Sequence, residues 1–533
     1  MLFNSFTFIF AYLPAVLVVF FWLGSRNHTW AGGWLALMSL LFYAYWDYRY
    51  VPLLLASIGF NYWIGLNIAL TSKPGRKVWL VSAITINLLL LAYFKYANFF
   101  LDTVNFVGNK AFPALDIILP IGISFYTFTQ IAFLVDTYEG RVAEYRFLHY
   151  LLFVTYFPHL IAGPVLHHRE MMPQFAEPRI YKFSTSNFAV GLTIFCIGLA
   201  KKVLIADNLS PYAAPLFDNP HSPSFFIAWA GVLAYTFQLY FDFSAYSDMA
   251  IGLSRLFGIK LPLNFNSPYK APNISEFWRR WHMTLSRFLR DYLYFPLGGN
   301  RVGLLNRYRN LMIVMLLGGM WHGSGWNFII WGGLHGFYLF IHHSWSAVST
   351  RMGFLPRSRT WTLIATAITF TAVCFAWVFF RSPDLATSWE IVRGMTGFYG
   401  AELPDAVGIR IGPLASTLEH LGIHFYLGGG SRFIESWGWI AFAAILAFLL
   451  PNTQELTHGF HPALDFKPSP KTATARGSLR LSWAPSRFQL RRISRTNVKR
   501  ESSRMISSFS CQPIRTENIE TRSGDSRRVS WLP

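Results

Sequence analysis

Long apolar runs set the plan of this chain. Stretches of about 20 apolar residues, the length a helix needs to cross the hydrocarbon core of a bilayer, fall near 6–24, 30–46, 50–70, 78–94, 115–135, 147–163, 188–206, 224–243, 311–345, 361–380 and 432–450. The pattern predicts an all-α, polytopic membrane protein with roughly 10–12 transmembrane helices. The 311–345 run is long enough for a span plus a re-entrant or tilted piece.

The first run has no Lys or Arg ahead of it and no small-residue cleavage pattern behind it, so it reads as a retained helix and not a secretory signal. Basic loops around Lys73, Arg76 and Lys77 and from Arg141 to Arg146 are expected to be cytoplasmic by the positive-inside rule. Counting back three spans from the first of them places the N-terminus on the extracytoplasmic side.

A segment of different character, Leu261 to Arg309, interrupts the spans. With Ser275 as N-cap, Pro272 upstream and Pro296 as terminator, it predicts a helix. Phe277, Trp281, Leu285, Phe288, Leu289 and Tyr292 then share one stripe, and Arg279, Arg280, Arg287 and Arg290 lie elsewhere on the surface. Such a helix is expected at the membrane interface, its arginines reaching lipid phosphate or the phosphates of an anionic cofactor.

Composition agrees with a membrane setting. Of the residues 53% are hydrophobic and only 14% charged, too apolar for an ordinary soluble surface. Of the net charge of +20, residues 467–533 carry +11, from 15 basic and 4 acidic side chains. This tail has no apolar period and reads as disordered; no nucleic-acid partner is assigned to it. The predicted division is a membrane domain over 1–456 and a basic tail over 457–533. Cys196, Cys374 and Cys511 show no paired spacing, so neither a disulfide framework nor a thiolate metal site is expected.

The candidate chemistry lies in Gly318-Gly319-Met320-Trp321-His322-Gly323. An imidazole at bilayer depth is costly unless it is buried in protein or lines a wet cavity, and it marks a functional path. His282, on the stretch leading into that span, offers a second imidazole. His167-His168-Arg169-Glu170 lacks further spaced ligands and is not expected to bind metal. His335 is 13 residues beyond His322, about 220° around an ideal helix, and is expected to face elsewhere. As a proton relay these histidines would suit a transporter or channel, but no inverted repeat is evident.

The residues Phe265-Asn266-Ser267-Pro268-Tyr269-Lys270, Phe277-Trp278-Arg279-Arg280-Trp281-His282-Met283-Thr284-Leu285-Ser286, Pro296-Leu297-Gly298-Gly299-Asn300-Arg301 and the His322 run resemble the membrane-bound O-acyltransferases, most closely the alginate O-acetyltransferase branch. The resemblance centres on 261–336, with weaker support from Phe157 to Pro164 and Phe241 to Asp248. It implies helices ringing a funnel, with His322 at the family's active-site position and His282 at its second histidine or asparagine position.

It further implies a bacterial inner-membrane enzyme that moves acetyl from a cytoplasmic thioester, acetyl-CoA, towards an extracytoplasmic polysaccharide such as alginate. No permanently bound cofactor is implied. An extracytoplasmic Ser-hydrolase-type acetyltransferase is the expected partner that finishes the transfer. D-alanyl transfer from an acyl carrier protein to teichoic acid is the same-class alternative.

His322 suits a general base, because a neutral imidazole takes up the hydroxyl proton as the thioester is attacked; a nucleophilic, acyl-imidazole role stays open. His282 is expected to orient the acceptor, share the proton or donate to the carbonyl oxygen. Arg279, Arg280 and Arg290 are candidate contacts for the CoA phosphates, with lipid phosphate as the alternative. Trp321 and Trp326 are candidate walls of an acyl channel, and the glycines beside His322 serve substrate approach or helix packing. Members of the branch usually end in a further apolar segment, so the basic tail is expected to reflect an altered C-terminus, with a frame change near 475–490.

Overall fold

The computed structural model describes residues 1–464 except 143–144, 161–162, 302, 354–357 and 461–462. The chain divides into two units, Met1–Lys467 with Trp531–Pro533 and Pro468–Ser530. The second unit, and with it the charged stretch from Lys467 onward and the expected frame change, lies outside the described residues. The division expected after residue 456 falls inside packed chain: His458–Phe460 form a turn, Ala463 is buried, and the Leu464 N–H donates to the Leu261 carbonyl.

Among the described residues the regular structure is helical apart from one two-stranded parallel sheet, Ala401–Pro404 with Ile423–Tyr426. Among them four helical runs are long and apolar enough to cross a membrane: His28–Leu70, Pro74–Gly108, Thr185–Asp218 and Arg359–Arg381. The first holds two expected spans joined by the Tyr48–Tyr50 turn, where Asp47 is extended. The 224–243 run is part of one 32-residue helix, Phe225–Leu256.

Three expected runs take other forms. Only Ile123–Tyr138 of the 115–135 run and its flank is helical, and residues 110–120 are irregular. The 147–163 run breaks into Phe147–Thr155 and Phe157–Leu160, each shorter than a bilayer crossing. The 311–345 run is a hairpin of Leu304–His322 and Trp326–Arg351, not one span with a re-entrant piece.

Glycine decides that hairpin. A Cβ on Gly319 would meet the Phe328 carbonyl oxygen at 2.1 Å, and one on Gly332 would meet the Met315 carbonyl oxygen at 2.3 Å. Contacts that descend on one helix as they ascend on the other mean antiparallel packing, here backbone against backbone. The glycines beside His322 therefore serve packing; Gly323 likewise leaves no space beside the Phe328 ring.

Two basic loops lie at one end of the molecule. The Arg76 guanidinium donates to the carbonyls of Thr137 (3.0 Å) and Tyr138 (2.7 Å), joining the start of one helix to the end of another. Lys95 lies roughly 28 Å further along its helix, at about 1.5 Å per residue.

The candidate active site

The arginine-rich segment is not an interfacial helix. It breaks into Ile274–Trp278, Met283–Leu289 and a wide turn at Arg290–Tyr294. Asn273 caps its start in place of Ser275, its side chain accepting from the Glu276 N–H at 2.8 Å. Phe277, Trp278, Trp281, Leu285, Phe288 and Leu289 are buried in the protein core rather than laid against lipid. The amphipathic pattern was real, but aromatic side chains of neighbouring helices, among them Trp331 and Trp377, cover its apolar stripe.

The break occurs at His282, whose backbone is left-handed (φ 43°). A non-glycine residue in this region costs on the order of 1–2 kcal/mol and needs surrounding structure to hold it. Asn264 supplies much of that hold: its carbonyl accepts from the Met283 N–H at 2.9 Å. Its side-chain oxygen accepts from Thr284 Oγ1 at 2.9 Å and the Thr284 N–H at 3.3 Å, and its amide donates to Ser247 Oγ at 3.2 Å.

With Asn264 Oδ1 fixed as an acceptor, the 3.1 Å contact to His282 Nδ1 has one polarity: the imidazole donates. Nε2 then carries the lone pair. That atom is buried, and among the described residues it has no hydrogen-bond partner.

His282 and His322 face one cavity of about 390 Å³, lined also by Trp46, Lys95, residues 119–125, Leu239, Phe243, Trp281, Trp321, Trp377 and Phe380. The two imidazole centroids are 6.5 Å apart. This is too long for a direct imidazole–imidazole hydrogen bond and leaves room for one oxygen atom within reach of both. Trp321, Trp331 and Phe380 meet the His322 ring edge-on at 4.9, 5.1 and 5.1 Å.

The end of the His322 helix is tied from outside. Its last carbonyls have no partner within the helix. Tyr96 OH donates to the Met320 carbonyl at 2.6 Å, and the Lys95 ammonium donates to the Trp321 carbonyl. Lys95 is inconspicuous in sequence because it sits at the edge of an apolar run with no other charged residue beside it to mark a site.

His335, as expected, does not line the cavity of His322, yet it packs near it. The turn between the two helices invalidates the single-helix angle, and His335 and His322 flank the same indole, Trp331, at 4.8 and 5.1 Å. Trp321 lines the cavity, whereas Trp326 is half exposed, stands against Phe99 and is not among the cavity walls.

The arginines lie on the other face of the broken segment. Arg279, Arg287 and Arg290 line a second hollow of about 180 Å³ with Met283 and Thr284. Trp281 and His282 face the first cavity and the next two residues face the second, so this short stretch is the wall between them. Arg280 lies outside both. Arg279 and Arg280 pair with Glu276, Arg290 pairs with Asp291 through two bonds of 2.7 and 3.1 Å, and Arg287 pairs with Glu170.

Among the described residues no group of three or more His, Cys, Asp or Glu is arranged to hold a metal ion. His167 and His168 do not share a ligand: Nδ1 of His167 meets Tyr292 OH, and Nδ1 of His168 meets Asp136. Burial, with the Arg287 guanidinium adding to it, pushes His167 down to about 4.

Comparison with known proteins bears on this geometry. The membrane-bound O-acyltransferase family model matches residues 84–381. The chain is 48% identical over 432 residues to the peptidoglycan O-acetyltransferase of Helicobacter pylori, covering 76% of this chain and 81% of that protein. It is 40% identical over 440 residues to the probable alginate O-acetylase AlgI of Pseudomonas aeruginosa, covering 80% and 81%. The teichoic acid D-alanyltransferase of Bacillus subtilis is 28% identical over 278 residues, half of this chain. With His282 and His322 at one cavity and a family match over most of its helices, the chain belongs to the membrane-bound O-acyltransferase family and is a membrane-bound O-acyltransferase.

Proposed function

We propose that this enzyme moves an acetyl group from acetyl-CoA on the cytoplasmic side towards a hydroxyl of an extracytoplasmic polysaccharide, with His322 as general base. The observation that carries the reading is the pair of imidazoles, 6.5 Å apart, on one cavity. The hydroxyl oxygen attacks the thioester carbonyl as His322 takes its proton. The C–S bond then breaks, the thiolate leaves with that proton, and ester and thiol are the products. His282 Nε2, held as an acceptor by Asn264, shares the hydroxyl's single proton in the bound state before His322 takes it.

The positive-inside rule supports a cytoplasmic position for the basic loops and an outside N-terminus, and the arginine segment adjoins those loops, since Asp136 pairs with Arg141 and accepts from Tyr292 OH. In the inner membrane of a bacterium the donor then enters at the hollow of Arg279 and Arg290, which exchange carboxylate for CoA phosphate. The polymer is a peptidoglycan or an alginate-like chain, the acceptors that the names of the two similar proteins carry. A separate extracytoplasmic acetyltransferase of the Ser-hydrolase type completes the reaction.

The test uses inverted membrane vesicles from expressing cells and radiolabelled acetyl-CoA. Alkali-labile label should appear inside vesicles with the parent and be absent with His322→Ala. No label with the parent, or equal label with both, overturns the reading.

A further inference from the structure

We infer that Lys95 is a catalytic residue: its ammonium stabilises the negative charge that forms on the carbonyl oxygen of the acyl group during transfer. This rests on the acyl-transfer reading above, and it starts from the position of Lys95, which lines the same cavity as His282 and His322. An ammonium has three N–H donors. One goes to the Trp321 carbonyl and one to Ser124 Oγ at 3.2 Å, and among the described residues the third has no acceptor.

Trp321 lines the cavity beside Lys95. Its indole N–H and His282 Nε2 are both buried, and among the described residues neither has a hydrogen-bond partner. A cavity wall with a spare ammonium donor complements a carbonyl oxygen that gains charge beside a hydroxyl that gives up a proton.

The two committed bonds fix the ammonium in place. Bonding to Trp321 ties it to the residue preceding His322, so charge and base move as one body. A cation at the carbonyl end of a helix is also favoured by the helix dipole, which explains how a lysine is retained in apolar surroundings. In the reaction, attack by the hydroxyl oxygen pushes the C=O pair onto oxygen, where Lys95 N–H donates to it. Collapse returns that pair as the C–S bond breaks, and Lys95 keeps its own protons throughout.

The experiment measures initial rates in the same inverted vesicles at varied acetyl-CoA concentration, with parent, Lys95→Met and Lys95→Cys. Lys95→Met should lower kcat by about 10²–10³-fold, the usual effect of losing one such donor, with KM for acetyl-CoA within about twofold. Lys95→Cys should be equally slow and regain rate after 2-bromoethylamine rebuilds an ammonium there, the parent being treated alike as control. Transfer by Lys95→Met at the parent rate overturns the inference. So does a loss confined to KM, or failure of alkylated Lys95→Cys to recover while its thermal midpoint matches the parent's. If the parent itself transfers no label, the functional reading fails instead.

Discussion

Replacing Asn264 by Ala tests whether the second imidazole is held as an acceptor. The side-chain oxygen of Asn264 takes three donors: His282 Nδ1–H, Thr284 Oγ1–H and the Thr284 N–H. Asn264 is fully buried, so water does not replace it. Each buried donor left without an acceptor costs about 1–3 kcal/mol. The Thr284 hydroxyl can rotate and its 3.3 Å amide contact is long, so Asn264→Ala should destabilise the protein by about 2–4 kcal/mol.

The rate should fall separately. Losing a bond of about 1–1.5 kcal/mol that favours the Nδ1–H form of His282 corresponds to about tenfold in transfer rate. Ser247→Ala removes only the partner of the Asn264 amide and should cost about 1 kcal/mol while keeping the rate within about twofold. Thermal unfolding in detergent and vesicle transfer, measured on the same preparations, separate the two effects. An Asn264→Ala enzyme with the parent's rate and thermal midpoint would refute the reasoning.

Two further outcomes follow from packing and charge. Gly319→Ala must push a methyl group into the Phe328 carbonyl, where a Cβ sits at 2.1 Å; the helices must part, so both thermal midpoint and transfer should fall sharply, and a parent-like midpoint would contradict the backbone contact. His167 is neutral in the fold down to about 4 but takes a proton in the unfolded chain below 6.5. The unfolded state therefore binds more protons between those values, and stability falls as pH drops from 6.5 towards 4. His167→Asn should lose less thermal midpoint than the parent between pH 7 and pH 5, and equal losses would count against it.

The sequence by itself determined the class of molecule and the two histidines. Apolar runs such as 361–380 map onto a membrane-length helix, Arg359–Arg381, because hydrophobic length is a local property that no neighbour needs to complete. His322 was legible for the same reason: an imidazole amid apolar residues is conspicuous wherever the chain goes.

Only the tertiary structure decided what those residues meet. An aromatic stripe reads alike whether lipid or Trp331 and Trp377 cover it, so the interfacial helix became a buried, broken wall. His335 packs on the same indole as His322 because a turn at Gly323 to Gly325, set within a long apolar run, reverses the chain. Asn264 and Lys95 were silent in sequence, since one amide and one lysine acquire meaning only from partners 18 to 226 residues away. Hydrogen bonds between distant residues depend on where packing brings the backbone, and periodicity along one segment carries no record of that.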